Sequence, residues 1–476
     1  MAKGIIEELD NSKINSFHLR TWLIAGMGFF TDAYDLFVIG TVISILPLAG
    51  WDKLNTYDIS ILSSISLLAS VIGAVIFGRL LDALGRKRVY GFELMLLILG
   101  ALGSAFVVPV NGINYLIAWR FILGLGIGGD YAGSSTIMTE FSNTKNRGQL
   151  VGMVFSLQGV GLIAGPLITL GLLSFIHNLD LVWRVLFFIG AVPAFIVLYG
   201  RRAIGETPRY ALRVKGDASS AMQSVEKISG DSKVSVSRED LEMSNIKWTD
   251  LFKNRYFMLS LIGTAGTWFL LDWAFYGNSI MSHEMLSALI PSSMSGLNKL
   301  KLSTFYTLII FAVSAFPAYW IATFTVDRIG RKRMQVIGFL IMGITFGILG
   351  IFRYLMSPTF VTYFLLVYGI SYFFTEFGPN VTTFIYAPEM FPTAIRGLGS
   401  GISSAGGKTG AFIGTALNVI IFTLYGEGEL FLILAGISML GMLMTLVLLP
   451  ETSRRKLEDI SGEGRYIVRT ASGFKK

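Results

Sequence analysis

Cysteine is absent from the 476 residues, which excludes disulfides, thiolate metal sites and cysteine nucleophiles. Histidine is nearly absent: three residues leave no material for a His-rich metal centre. Charge is scarce. Only 15% of the chain is Asp, Glu, Lys or Arg and 53% is hydrophobic, whereas soluble domains carry about 25% charged residues. Proline, at 12 residues, is too sparse for a Pro-rich disordered chain, and the 53 glycines follow no collagen period. The apolar surplus is gathered in long blocks, many of about 20 residues, the length that spans a hydrocarbon core. They lack the alternation of a transmembrane barrel. The chain reads as an all-α polytopic membrane protein.

Twelve apolar blocks divide the sequence. Residues 1–20 form a polar N-terminal segment without the apolar core of a signal peptide. Residues 21–200 hold six blocks, 201–255 a polar linker with an amphipathic helix near 219–229, 256–450 six more blocks, and 451–476 a tail. Of 39 Lys and Arg, only Lys53, Lys299, Lys301 and Arg353 fall on one side of the expected membrane, and Arg120, Arg184 and Lys408 fall inside blocks. The rest share the side of both termini and the linker, which the positive-inside rule assigns to the cytoplasm. The net charge of +8 is therefore topology signal, and no nucleic-acid partner is expected.

The two halves repeat. Asp82-Ala83-Leu84-Gly85-Arg86-Lys87-Arg88 after block two recurs as Asp327-Arg328-Ile329-Gly330-Arg331-Lys332-Arg333 after block eight. Glu140 with Arg147-Gly148 recurs at the same spacing as Glu389 with Arg396-Gly397, and Glu206-Thr207 recurs as Glu451-Thr452. Landmarks in one order mean two six-helix bundles in parallel orientation, a repeat class of secondary transporters with substrate near the midplane. An acid within each basic loop can pair with Arg or with a helix N-terminus. Asp82, Arg86, Asp327 and Arg331, with Glu140, Arg147, Glu389 and Arg396, are thus candidates for latching the bundles in one state.

Gly78-Arg79 leading into Asp82 to Arg88 resembles the signature between helices two and three of the major facilitator superfamily. Trp119-Arg120-Phe121, Glu206-Thr207-Pro208-Arg209 and Pro388-Glu389-Met390-Phe391-Pro392-Thr393 resemble marks of its sugar-porter-like branch. The resemblance implies the major facilitator fold and rocker-switch alternating access.

Two other motifs point nowhere. Gly124-x-Gly126-x-Gly128-Gly129 follows an apolar helix rather than a strand, so close helix packing explains it better than a dinucleotide. Gly407-Lys408-Thr409 lacks the first glycine of a phosphate loop, because position 402 is Ile. No metal-ligand cluster or nucleophile elbow appears, so no cofactor, metal or enzymatic activity is expected.

Ionisable residues within a membrane are functional candidates because each is costly to bury. Asp32 and Asp35 share a face of helix one. Glu93 starts helix three, where an edge carboxylate can snorkel. Asp130 lies in helix four, Asp272 in helix seven, Glu376 in helix ten and Lys408 in helix eleven. Trp268, Asp272 and Tyr276, four apart, form one stripe, read as an aromatic-walled polar site.

Gly128-Gly129-Asp130-Tyr131, the Asp32/Asp35 run and the helix-seven stripe resemble the phosphate:proton symporter family of the superfamily; Gln158, Asn380 and Lys408 match it too. The resemblance implies a phosphate pocket of Tyr131, Gln158, Trp268, Asp272, Tyr276 and Asn380, with Lys408 adding positive charge. It also implies a proton path through Asp32, Asp35 and Asp130, with Asp272 as a further coupling acid. Ala132-Gly133 departs from the family pattern, which keeps phosphate esters open as cargo. The chemistry agrees: hydroxyl, indole, amide and ammonium groups donate to phosphate oxygens, and Asp272 can accept from P–OH. An ionised acid close to an anion gains proton affinity, which couples proton and anion binding. The expectation is a monomeric phosphate:proton symporter of the plasma membrane. Another small anion, a sugar or a non-transporting nutrient receptor are the alternatives.

Overall fold

Hydrocarbon offers a backbone amide no partner, so each apolar block satisfies its own amides as a helix. The computed structural model describes all residues except 1–3, 52–53, 108–111, 230–233, 238–239, 241, 281–284, 287–288, 292, 466 and 470–476; Lys53 lies outside the described residues. Among the described residues, twelve helices are long and apolar enough to cross a membrane. They are α1 (Ser16–Ile45), α2 (Tyr57–Leu84), α3 (Arg86–Ala105), α4 (Gly112–Phe141), α5 (Arg147–Phe175) and α6 (Leu179–Ala203) in the first half. The second half has α7 (Arg255–Ile280), α8 (Gly296–Ile329), α9 (Arg331–Ile351), α10 (Pro358–Glu389), α11 (Thr393–Tyr425) and α12 (Glu427–Leu448). The chain is a multi-pass membrane protein with the two-bundle major facilitator fold.

Polar residues set the helix starts. Asn15 accepts from the amides of Phe17 and His18, while the His18 ring accepts from the Asn15 amide, a reciprocal cap for α1. Asn55 and Asp58 do the same for α2. The repeated glycines end α2 and α8 in the same left-handed conformation, Gly85 at φ +100° and Gly330 at φ +97°. A Cβ there would strike a carboxylate of the matching repeat, Glu206 at 2.4 Å and Glu451 at 2.3 Å. Those carboxylates accept from the next amides, Arg86 N at 2.9 Å and Arg331 N at 3.0 Å. The repeats are thus one local device built twice.

The glycine run in α4 serves close packing, as expected. A Cβ on Gly124 would lie 2.3 Å from the Ser66 carbonyl of α2, and one on Gly128 2.1 Å from that of Ser70. The bundles meet along α2 against α11 and α5 against α8.

Helix six runs past position 200 to Ala203. The linker helix, Ala218–Ser229, buries Ala218, Ala221, Val225 and Ile228. On this terminal face the N-terminal segment, linker and tail interlock. Asp240 accepts from the amides of Ile5 and Ile6 at 2.8 and 3.2 Å. Strand β1 (Glu242–Ser244) pairs antiparallel with β2 (Ile467–Arg469). Arg209 bridges Asp10, at 2.6 Å, and Glu458.

Candidate functional site

Helix α7 brings Trp268, Asp272 and Tyr276 to the interior, each buried. Facing them from α11, Lys408 donates to Asp272 Oδ2 at 3.2 Å and to the Tyr276 hydroxyl at 3.0 Å. Its ammonium also sits 4.0 Å from the centre of the Tyr131 ring and 4.2 Å from that of Tyr276. Tyr131, on α4 of the other bundle, meets the Tyr276 hydroxyl at 3.1 Å. Gln158, on α5, donates from Nε2 toward Tyr276 at 3.3 Å and Tyr131 at 3.5 Å. Tyr131, Gln158, Asp272, Tyr276 and Lys408 therefore form one network across the bundle interface.

Trp268 belongs to the wall, its ring 6.0 Å from that of Tyr131. Asn380 stands apart from the network, donating to the Tyr319 hydroxyl at 2.8 Å and to Glu376 Oε2 at 2.5 Å. It ends a π turn, Glu376–Asn380, that widens α10; such turns gather at functional sites. Phe29, Phe155 and Phe384 close the remaining sides, Phe155 stacked on Phe384 at 4.4 Å.

Among the described residues, several polar atoms here are buried with no partner within hydrogen-bond geometry: Gln158 Oε1, Trp268 Nε1, Asp272 Oδ1 and Glu376 Oε1. Each such atom costs about 1–3 kcal/mol, so a cluster of them marks a place built to meet something else. The set holds one donor, Trp268 Nε1, and three oxygens that can accept from P–OH. The contact of Tyr131 with Tyr276 closes the site between α4 and α7.

The acids expected to carry protons lie along the first bundle. Asp35 is buried 3.8 Å from Arg120, which donates to the Asp35 carbonyl at 2.6 Å. Asp32 has no hydrogen-bond partner for either oxygen among the described residues, and feels the charges of Asp130, Arg201, Lys408 and Asp35. Asp130 accepts from Ser134 at 2.5 Å and from Arg201 Nη2 at 2.7 Å. Arg201 also donates to Glu93 at 3.0 Å and stacks on Tyr90. Sequence reasoning missed this arginine, because the polar run that follows it reads as linker. Glu93 does not snorkel: it is fully buried between Arg201 and the Gly91 amide.

The loop residues form two matching clusters on the terminal face. Asp82 accepts from the amides of Gly397 and Leu398 at 2.9 and 2.8 Å, across the interface at the start of α11. Asp327 accepts from Gly148 and Gln149 at 3.2 and 2.7 Å, at the start of α5. Arg86 and Arg396 share Glu140 at 2.8 and 2.9 Å. Arg331 and Arg147 share Glu389 at 3.0 and 2.7 Å. The structure is closed on this face.

The chain matches the sugar (and other) transporter family over residues 21–463. It is 34% identical to the "Probable inorganic phosphate transporter 1-6" of Arabidopsis thaliana, covering 97% of this chain and 96% of that protein. It is 35% identical to the "Low affinity inorganic phosphate transporter 4" of Lotus japonicus, covering 97% and 95%. Its fold resembles the proton:xylose symporter XylE bound to 6-bromo-6-deoxy-D-glucose, with TM-score 0.76, 21% identity and coverage of 95% of this chain and 99% of that one. The partially occluded inward open form of XylE from E. coli gives TM-score 0.73 at 19% identity, covering 93% and 100%. With two like bundles and a buried polar site between them, the chain belongs to the sugar (and other) transporter family of the major facilitator superfamily, and proteins named inorganic phosphate transporters are among its relatives.

Proposed function

We propose that this protein is a proton-coupled symporter that carries inorganic phosphate by alternating access. The observation that carries the reading is the Lys408–Asp272 pair inside a ring of hydroxyl and amide donors. A neutral sugar needs no buried ammonium; an oxyanion does. Tyr131, Gln158, Trp268, Tyr276, Asn380 and Lys408 supply donors to phosphate oxygens, and Asp272 accepts from P–OH. Phosphate and the Asp272 carboxylate compete for Lys408, so a proton on Asp272 releases the ammonium to the anion. Asp32, Asp35 and Asp130 pass the proton along the first bundle. The relatives named as phosphate transporters support the same cargo.

In this reading the protein is a monomer in the plasma membrane, with the terminal face cytoplasmic. The Lys/Arg excess supports that orientation, and cleavage of the 201–255 segment by external protease in right-side-out vesicles would refute it. The cargo is tested by uptake of labelled phosphate into proteoliposomes under an imposed pH gradient. Uptake should stop when the gradient is collapsed and resist excess sugar. Stronger competition by a sugar or a phosphate ester than by phosphate itself would reassign the cargo.

A further inference from the structure

On the terminal face, away from the central site, a cleft of about 490 Å³ lies between the linker helix and the loop after α2. Lys87, Arg88, Lys215 and Lys227 line it, with Glu206. A second chamber of about 240 Å³ shares Lys87, Ser224 and Lys227 with the first. It runs between the start of α1 and the end of α6, walled by Phe17, Ile24, Phe141 and Ile204, with Arg20 among its lining residues. One side of the joint cavity is thus cationic and the other apolar.

Of the lining cations, only Lys215 is ion-paired among the described residues. Glu206, the one carboxylate lining either chamber among the described residues, accepts from the amides of Arg86 and Thr207 and from Lys215. Arg20, Lys87, Arg88 and Lys227 are exposed, and none is ion-paired among the described residues. Beside the apolar chamber the helices turn bare hydrophobic faces outward: Leu19 and Leu23 on α1, Ile196 and Tyr199 on α6. Leu19 and Leu23 flank Arg20 on the same stretch of helix, so the cations stand at the level where acyl chains give way to headgroups.

We propose that this double chamber binds one anionic phospholipid, with its phosphate held by Lys87, Arg88 and Lys227 and its glycerol end in the apolar chamber beside Arg20. Basic pockets between membrane helices at the cytoplasmic surface recognise lipid headgroups in this way. A soluble phosphoryl anion shares the headgroup chemistry but has no use for the apolar chamber or the lipid-facing flanks. The lipid would tie the linker helix to the first bundle next to Glu206, whose carboxylate caps the Arg86 amide. The inference rests on the proposed cytoplasmic orientation for its natural leaflet, but not on phosphate as cargo.

The test titrates delipidated full-length protein in detergent with phosphatidylglycerol, phosphatidylcholine and glycerophosphoglycerol, and counts adducts by native mass spectrometry. Phosphatidylglycerol should saturate one site, and Arg20→Gln/Lys227→Gln should weaken that site about thirty-fold. Arg20→Lys/Lys227→Arg should retain it. Equal phosphatidylglycerol affinity in the Gln variant, or equal affinity for phosphatidylcholine, overturns the site. Binding of glycerophosphoglycerol as tight as that of the intact lipid overturns the lipid assignment in favour of a soluble ligand. Phosphate uptake by the wild type is measured in parallel; its failure would sink the cargo reading and leave the lipid titration intact.

Discussion

Lys408 and Asp272 pair at 3.2 Å from facing helices of one bundle, both fully buried. The pair is neutral as a unit, so an anion arriving between the bundles meets a cation only if Asp272 lets it go. Removing one member of such a pair leaves an uncompensated charge, at about 3–5 kcal/mol. In the proposed cycle this couples the occupancy of the site to the charge on one carboxylate.

Asp272→Asn fixes the neutral state: it keeps a donor and an acceptor but can no longer change charge. The variant should bind phosphate with affinity that varies less with pH than in the wild type, between about pH 5 and 8, and should fail to accumulate it under a pH gradient. Asp272→Ala should lose binding as well. Calorimetric binding beside gradient-driven uptake separates these outcomes, and full accumulation by Asp272→Asn would remove Asp272 from the coupling.

Lys408→Ala should cut phosphate uptake sharply, and Lys408→Arg should retain part of it. The ammonium contributes both to Asp272 and to the faces of Tyr131 and Tyr276. Without it, Asp272 is a lone carboxylate in the pocket that repels the anion. Wild-type rates in Lys408→Ala would refute the anion-attracting role.

The twelve helices and the helix-seven stripe were legible because both rest on periodicity: block length for the spans, spacing of four for Trp268, Asp272 and Tyr276. Lys408 stood out as a charge inside an apolar block, Tyr131 and Gln158 came from the family resemblance, and the structure gathers all three around that stripe. Arg201 was not legible, because its environment depends on α3 and α4 closing over the end of α6, a tertiary fact with no local signal. Tyr319 was equally hidden: in an apolar block it looks like any core tyrosine, and only the π turn of α10 brings Asn380 to its hydroxyl.

The terminal-face latches should set the balance between open and closed forms. Asp82→Asn gives up two charge-assisted bonds to the start of α11, each worth about 1.5–3 kcal/mol. The population should shift toward opening of this face. Because the chain contains no cysteine, single cysteines at the exposed Lys145 and Arg333 can carry spin labels without background. Their separation should lengthen in Asp82→Asn and further in Asp82→Asn/Asp327→Asn. An unchanged distance distribution would show that the latches do not hold the closed state.

Outside the membrane, Arg209 ties the N-terminal segment to the tail through Asp10 and Glu458. Burial pushes the Glu458 carboxyl up, but the Arg209 guanidinium and a backbone amide outweigh it and hold it at about 2, below its ordinary 4.5. A depressed folded value stabilises the docked state above pH 4.5 and loses that contribution as pH falls toward 2. Hydrogen exchange across 457–461 should therefore stay slow at neutral pH and rise through this window. In Arg209→Met it should be fast at neutral pH already. A tail equally protected in that variant would show that Arg209 does not dock it.

Arg201 lies between two buried carboxylates, Asp130 at 2.7 Å and Glu93 at 3.0 Å. Asp130 is nearer the terminal face than the Asp35–Arg120 pair, because α4 runs from Arg120 toward that face. Asp32, with neither oxygen bonded, lies within range of both groups. In the proposed path the proton arrives last at Asp130, where protonation removes the charge that pairs with Arg201. Asp130→Asn removes that step while keeping an acceptor for Ser134. It should still exchange labelled phosphate across a membrane without a gradient, yet not concentrate it. Arg201→Gln should do worse, since it strands both carboxylates, with a stability loss of about 3–5 kcal/mol seen as a lowered Tm. Adding Asp130→Asn to Arg201→Gln should recover part of that Tm without restoring accumulation. If Asp130→Asn concentrates phosphate as the wild type does, the proton path does not cross helix four, which leaves Asp32 and Asp35 on helix one and Asp272 and Glu376 in the second bundle as the buried acids to test.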